Sequence, residues 1–266
     1  MIEVFILVLT GLFVGFLAGL FGIGGGLIIV PAVTYILIFF HNITPDIAYS
    51  SAIASSMISI IFTGSVATFF NIRNQNFEFR LINKTIFPVA IGALAGGLII
   101  NIANFYFLKF FFIFYCFLSA LKLLSSKNIL KPIYLFSEKI IFTVFGLISS
   151  IVGIGGGTLF VPYFENNHMD IRKSVSGSSF IGVIIGLSTI LSFIIQNILF
   201  NNDYIYSEKI STLSNVYMPS FIFLTLPSLI SIYFSTKLLI TISKKKVKYY
   251  FALLLVFIGA ISIFNF

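Results

Sequence analysis

Stretches of mostly apolar, uncharged residues follow one another along almost the whole chain, and nothing constrains its fold more. Five fall in the first half, at about Val4–Leu20, Leu27–Phe40, Ala48–Phe70, Ile82–Ile102 and Phe105–Leu124. Five more follow, at about Ile140–Ile151, Thr158–Phe164, Val175–Ile198, Val216–Ser235 and Tyr249–Phe264. A helix needs about 20 residues to cross the hydrocarbon core of a bilayer. The third, fourth and fifth stretches of each half come near or above that length, whereas the second are short and Thr158–Phe164 is far too short. A soluble domain carries roughly a quarter charged residues, but here only 9% of 266 residues are charged and 59% are hydrophobic. The chain therefore reads as an all-α integral membrane protein. The net charge of +8 is carried in short loops between apolar stretches, which favours a lipid bilayer and no nucleic acid as partner. The lone Cys116 lies inside an apolar stretch, so neither a disulfide framework nor a cysteine metal site is expected. The first stretch lacks a basic leader, so no cleavable signal is expected either.

The two halves are related. Gly15-x6-Gly22-Ile23-Gly24-Gly25-Gly26-x3-Val30-Pro31 recurs as Gly146-x6-Gly153-Ile154-Gly155-Gly156-Gly157-x3-Val161-Pro162, displaced by 131 at every position. A weaker echo pairs Ala54-Ser55-Ser56 with Gly177-Ser178-Ser179, and Pro88 pairs with Pro219 at the same displacement of 131. An ordered series of matches marks an internal duplication, with residues 1–131 as the first repeat and 132–266 as the second. Glycine interrupts the first pair of stretches in each half, so that pair is expected to be broken or re-entrant helices.

Basic residues give the orientation. Arg73, Arg80, Lys84, Lys122, Lys127, Lys131, Lys139, Lys237, Lys244, Lys245, Lys246 and Lys248 flank three loops, and Arg172 and Lys173 precede the third stretch of the second half. The positive-inside rule puts these regions in the cytoplasm and both termini outside. Corresponding loops of the two halves then fall on opposite sides: residues 71–84 are basic, whereas residues 201–212 carry Asp203, Glu208 and only Lys209. The expected architecture is two inverted repeats of about five helical segments each, in the bacterial cytoplasmic membrane. Inverted repeats with broken helices at their interface recur in secondary transporters, with the substrate near the midplane.

The glycine motifs are the candidate site. Three consecutive glycines make a poor helix interior, but they permit positive φ and close backbone approach. A short apolar helix begins after each triplet, and its first N–H groups lack intrahelical partners at the positive end of the dipole. Two such starts facing each other would cradle a small anion without a buried Lys or Arg. The candidate residues are Gly22, Gly24, Gly25, Gly26 and Pro31, with Gly153, Gly155, Gly156, Gly157 and Pro162. The competing reading is packing, because Gly22-x3-Gly26 and Gly153-x3-Gly157 also match the small-residue pattern that lets membrane helices touch. Ser55, Ser56, Ser178 and Ser179 lie within long stretches. They either complete the anion site as donors or bond the backbone carbonyl one turn back.

All eight acids, Glu3 among them, sit at stretch ends or in loops, which argues against a buried proton relay. His41 and His168 lie just outside the short second stretches and read as interfacial, and Lys109, near a stretch end, is expected to snorkel. No cofactor motif is present.

The pattern resembles the sulfite exporter TauE/SafE family of bacterial membrane transporters. The resemblance rests on Gly22-x-Gly24-Gly25-Gly26-x4-Pro31 and its second copy, on the patches Ala54–Ser56 and Gly177–Ser179, and on the C-terminal region. That region runs from Asn215-Val216-Tyr217-Met218-Pro219 through Lys244-Lys245-Lys246 to Phe257-Ile258-Gly259-Ala260. It covers nearly the whole chain and implies transport of sulfite, sulfonates or related small oxyanions. The chain departs from the family in having Ser-Ser at both patches, Ser214 before Asn215, and Ser228, Ser231 and Ser235 where the first half has Gly92, Gly96 and Gly97.

Three classes of function remain: a secondary anion transporter, expected to be an exporter; a passive anion channel; and an intramembrane enzyme, for which neither histidine is suitably placed. The small anionic substrate is the expected partner, and a homo-oligomer is compatible with the sequence.

Overall fold

The computed structural model describes residues 1–22, 24–73, 77–124, 137–200, 212–213, 215–238 and 244–264. Several basic loop positions, including Lys127 and Lys131, lie outside the described residues, as does most of the 201–212 loop with Asp203, Glu208 and Lys209.

The described residues are helical almost throughout. The first half contains α1 (Ile2–Phe21), α2 (Gly26–His41), α3 (Pro45–Arg73), α4 (Phe79–Ile102) and α5 (Phe105–Leu124). The second contains α6 (Glu138–Val152), α7 (Gly157–Asn166), α8 (Ile171–Phe200), α9 (Met218–Leu238) and α10 (Lys244–Phe264). Among the described residues, six helices are long and apolar enough to cross a membrane: α1, α3, α4, α5, α8 and α9. Their outer faces carry the residues that lipid would cover. Along α5, Phe107, Phe110, Phe114, Leu118 and Leu121 are exposed at helical spacing, while Phe105, Leu108, Phe112, Tyr115 and Cys116 are buried. Water would not tolerate so continuous an apolar surface.

In each half the expected break is present. Helix α1 ends at Gly22, whose φ of 67° closes the helix in the left-handed region, and α2 starts after Gly25 at φ 78°. Helix α6 ends at Gly153, also at φ 78°, and α7 starts at Gly157. At 20 residues α1 is not shortened, whereas α2, α6 and α7 have 16, 15 and 10 residues.

The last apolar stretch but one departs from expectation at its start. Residues 212–213 and 216–217 form a two-residue antiparallel ladder, with Asn215 between them at φ 68°, and the helix begins only at Met218. Its second turn, Phe221–Thr225, is π-helical. Pro227 has no N–H to offer one turn back, and a widened turn beside it is one way a helix absorbs that loss.

Contacts between the halves are exchanged in pairs. Helix α4 packs on α6 as α9 packs on α1, α5 packs on α10, and α3 packs on α8. Helices α3 and α8 run antiparallel. A Cβ at Gly64 would lie 2.9 Å from the Ser179 carbonyl oxygen, and one at Gly186 would lie 2.9 Å from the Met57 carbonyl oxygen. These reciprocal contacts match Met57 with Ser179 and Gly64 with Gly186, a displacement of 122. The sequence echo of 54–56 with 177–179 is therefore one residue out of register: Ser56 corresponds to Ser178. The pairing of Pro88 with Pro219 is also corrected. Gly92 faces the Thr143 carbonyl of α6, and Ser231 bonds the Leu12 carbonyl of α1; Thr143 and Leu12 are 131 apart. Gly92 then matches Ser231, and Pro88 matches Pro227.

Candidate functional site

The two glycine loops meet at the centre of the α3–α8 pair. A Cβ at Gly26 would lie 2.1 Å from the Gly153 carbonyl oxygen and 2.9 Å from the Ile154 Cα, so the loop after α1 touches the loop after α6 through bare backbone. All described residues of both loops, Gly22, Gly24–Gly26 and Gly153–Gly157, are buried. That is the condition under which irregular backbone is tolerated at membrane depth. The loops differ in conformation: Gly22, Gly24 and Gly25 have positive φ, but of the second loop's motif glycines only Gly153 does. Gly156 is helical at φ −66°. Pro31 and Pro162 are each the sixth residue of their helix, past the first turn, and are half-buried.

The four serines divide into two kinds. The Ser56 hydroxyl donates to the Gly153 carbonyl at 2.7 Å, and the Ser178 hydroxyl reaches the Gly22 carbonyl at 3.4 Å as well as Val175 one turn back at 2.9 Å. Each thus latches the glycine loop of the opposite half, and Gly22 and Gly153 are themselves motif equivalents. Ser55 and Ser179 instead donate to their own helix, to the carbonyls of Ser51 at 2.7 Å and Val175 at 3.0 Å. A hydroxyl has one proton, so all four are committed to carbonyls in this conformation.

Sequence reasoning missed the buried hydroxyls that have no partner, which among the described residues are those of Tyr49 and Thr68 together with Ser149, in the last turn of α6, and Ser174 and Ser176, just before Ser178 on α8. Orphaned hydroxyls in a core are uncommon and ask for an explanation. The serine-rich run 174–179 was a signal for Ser174 and Ser176 alone.

Sequence reasoning also missed the environment of His41. Its Nε2 lies 3.3 Å from a Glu3 carboxylate oxygen and 2.9 Å from the Tyr217 hydroxyl, which also donates to Glu3. Burial first, and the Glu3 carboxylate second, hold the Tyr217 phenol well above its ordinary range, so it stays a neutral donor. The Tyr217 backbone N–H donates to Ser55 Oγ at 2.9 Å. His168 is exposed at the end of the α7 turn, with φ 64°. Lys109 and Pro31 share a small pocket with Val30, Tyr49, Phe112 and Ser262, apart from the glycine loops. Among the described residues no group of His, Cys, Asp and Glu could hold a metal.

Six crossing-length helices, lipid-compatible outer faces and two broken helical hairpins buried against each other define a multi-pass α-helical membrane protein. The sequence profile described as "Sulfite exporter TauE/SafE" matches residues 7–261, and the chain belongs to that family. A "Probable membrane transporter protein" of Haemophilus influenzae is 30% identical over 192 residues, covering 71% of this chain and 72% of the relative. A protein of the same description from Methanocaldococcus jannaschii is 24% identical over 250 residues, covering 90% and 86%. Another from Bacillus subtilis is 29% identical over 186 residues, covering 59% and 65%. No solved structure matches.

Proposed function

We propose that this protein is a secondary transporter that exports a small anion, such as sulfite, a sulfonate or a related organic acid, across the bacterial cytoplasmic membrane. The observation that carries the reading is the backbone contact between the two glycine loops, each at the start of a short helix and each latched by a serine of the other half. The N–H groups at Gly24–Gly26 and Gly155–Gly157 are the donors proposed for the anion. Ser149, Ser174 and Ser176 have hydroxyl protons to spare, and Ser55, Ser56, Ser178 and Ser179 can turn to the anion when the seam parts. The antiparallel α3–α8 pair and the exchanged contacts favour halves of inverted topology, which would bring one hairpin in from each side of the bilayer.

Partial dipolar charges hold an anion weakly enough to release it. The driving force proposed is the membrane potential, worth about 2.3 kcal/mol per charge per 100 mV, or roughly fifty-fold outward accumulation of a monovalent anion. The test is flux of sulfite, sulfate, thiosulfate and a small sulfonate in proteoliposomes with a valinomycin-clamped potential and no pH gradient. Flux that saturates and follows the potential supports the transporter. Flux that never saturates selects the passive channel, and flux that ignores the potential but follows an imposed pH gradient overturns the mechanism.

A further inference from the structure

Three titratable side chains from three separate elements converge at one end of the helix bundle. Glu3 stands at the start of α1, His41 ends α2, and Tyr217 immediately precedes α9. The first two side chains are 22% and 25% exposed and Tyr217 is 2% exposed, so their contacts are largely shielded from water.

Proton placement follows from the geometry. The single Tyr217 hydroxyl proton is given to Glu3. With Glu3 as the carboxylate, His41 Nε2 faces two acceptor oxygens, the phenol at 2.9 Å and the other Glu3 oxygen at 3.3 Å. A ring nitrogen between two acceptors must itself carry hydrogen, which leaves Nδ1 as the place for a second proton. That proton would put a full positive charge beside a carboxylate. The imidazole also meets the Tyr217 ring edge-on, with centroids 5.5 Å apart.

We propose that Glu3, His41 and Tyr217 form a proton-operated clasp, which holds the α1–α2 hairpin against the start of α9 and tightens when His41 is charged. The clasp reaches the glycine seam through bonded neighbours. Tyr217 donates its N–H to Ser55, and the next residue, Ser56, latches Gly153. The hairpin cannot swing away from α9 while both its ends are held by one tyrosine. Beside that tyrosine lies the π-helical turn Phe221–Thr225, the kind of helix irregularity often found where helices move or bind.

The charged and titratable groups on the elements packed here are few among the described residues. Helix α1 offers Glu3 and the Met1 ammonium, and α3 offers Asp46 and Tyr49. The last turns of α10, which packs on α1 and α2, carry no charge. The Asp46 carboxylate accepts from the Phe105 N–H at 2.7 Å, and Tyr49 meets the Phe105 ring. The carboxylate in contact with His41 is that of Glu3.

The clasp draws its purpose from the transport reading, but it can be tested without flux. Ser220 is fully buried in the first turn of α9, bonded to the Tyr217 carbonyl. In a Cys116→Ala background, Ser220→Cys would be modified by a hydrophilic maleimide in nanodiscs only as the clasp opens. Rates are compared with those of the same cysteine carrying His41→Gln or Glu3→Gln, which cancels the thiol's own ionisation. An imidazole changes charge between about pH 5 and 8. The ratio of native to variant rates is expected to be about two- to fivefold lower at acid than at neutral pH, the range for a partly exposed ion pair. Either variant suffices should the other fail to fold. A pH-independent ratio overturns the clasp. An intact ratio with no anion flux overturns the transport reading and leaves the clasp standing.

Discussion

Replacing Gly26 and Gly182 with alanine should move stability in opposite directions, although both face the opposing half and both lie beside a glycine loop. At Gly26 the new methyl would sit 2.1 Å from the Gly153 carbonyl oxygen, 2.8 Å from Ser56 Oγ and 2.9 Å from Ile154 Cα. Two of these neighbours are backbone, so the loops must separate by about an ångström, and overpacking of this kind costs about 1–3 kcal/mol. At Gly182 the nearest atoms are 3.5 Å or more away, Gly155 Cα and Ile60 Cγ2 among them, which is ordinary contact. There the change removes a helix-interior glycine and should stabilise by about 1 kcal/mol. For a chain of this size each kcal/mol corresponds to about 2–4 °C in melting temperature. Gly26→Ala is thus expected to melt at least about 2 °C lower and Gly182→Ala about 2–4 °C higher. Cys116 is buried and is the chain's single cysteine, so a thiol-reactive dye in detergent reports the transition directly. Equal melting of Gly26→Ala and the parent would show that the two loops do not touch, and the central seam would have to be abandoned. Bulkier probes would not decide the question. At Gly25, with φ 78°, even a Cβ lies 2.1 Å from the Val14 side chain, so Gly25→Leu would report folding rather than transport.

Ser56→Ala should destabilise more than Ser178→Ala, as measured by the same melting assay. It leaves the buried Gly153 carbonyl without its 2.7 Å donor, a loss of about 1–3 kcal/mol, whereas Ser178 holds Gly22 only at 3.4 Å; the reverse order would mean that the latches are not equivalent in the way the contacts indicate. Cysteine introduced at exposed Asn42 in a Cys116→Ala background should react with an impermeant thiol reagent in intact cells, and cysteine at exposed Ser137 should be protected. Labelling at Ser137 with protection at Asn42 would reverse the orientation drawn from the basic loops.

What the sequence revealed and what it concealed divide along the same physical line. The first glycine loop was legible because left-handed turns at Gly22, Gly24 and Gly25 and a backbone contact at Gly26 all favour glycine, and in the second loop the left-handed turn at Gly153 does the same. The correspondence of α4 with α9 was obscured because a helix seam asks only that small residues face something that yields. On α4, Gly92 and Gly96 lie against Thr143, Leu147 and Ser150 of α6, which contributes only Gly146 in return. On α9 the matching positions are Ser231 and Ser235, and there α1 supplies the glycines, Gly11, Gly15 and Gly19. The serine hydroxyls then bond the α1 backbone, Ser231 to Leu12 at 2.6 Å and Ser235 to Gly15 at 3.4 Å. The glycines have moved across the seam, leaving close contact intact and identity lost, and the nearest identical residue, Pro219, drew the match away from Pro227. The serine echo slipped by one for a related reason: it rewarded Ser-Ser against Ser-Ser, whereas the register of α3 on α8 is set by Gly64 and Gly186 meeting carbonyls. The clasp had no local signal at all. Glu3 and Tyr217 are 214 positions apart, and each alone is an ordinary polar residue at the end of an apolar segment. Only closure of the α1–α2 hairpin against α9 brings a carboxylate, an imidazole and a phenol into one hydrogen-bonded cluster. In the proposed clasp no carboxylate need lie deep in a span for protonation to act on the seam, because Tyr217 connects the end of the bundle to Ser55, one residue from the latch.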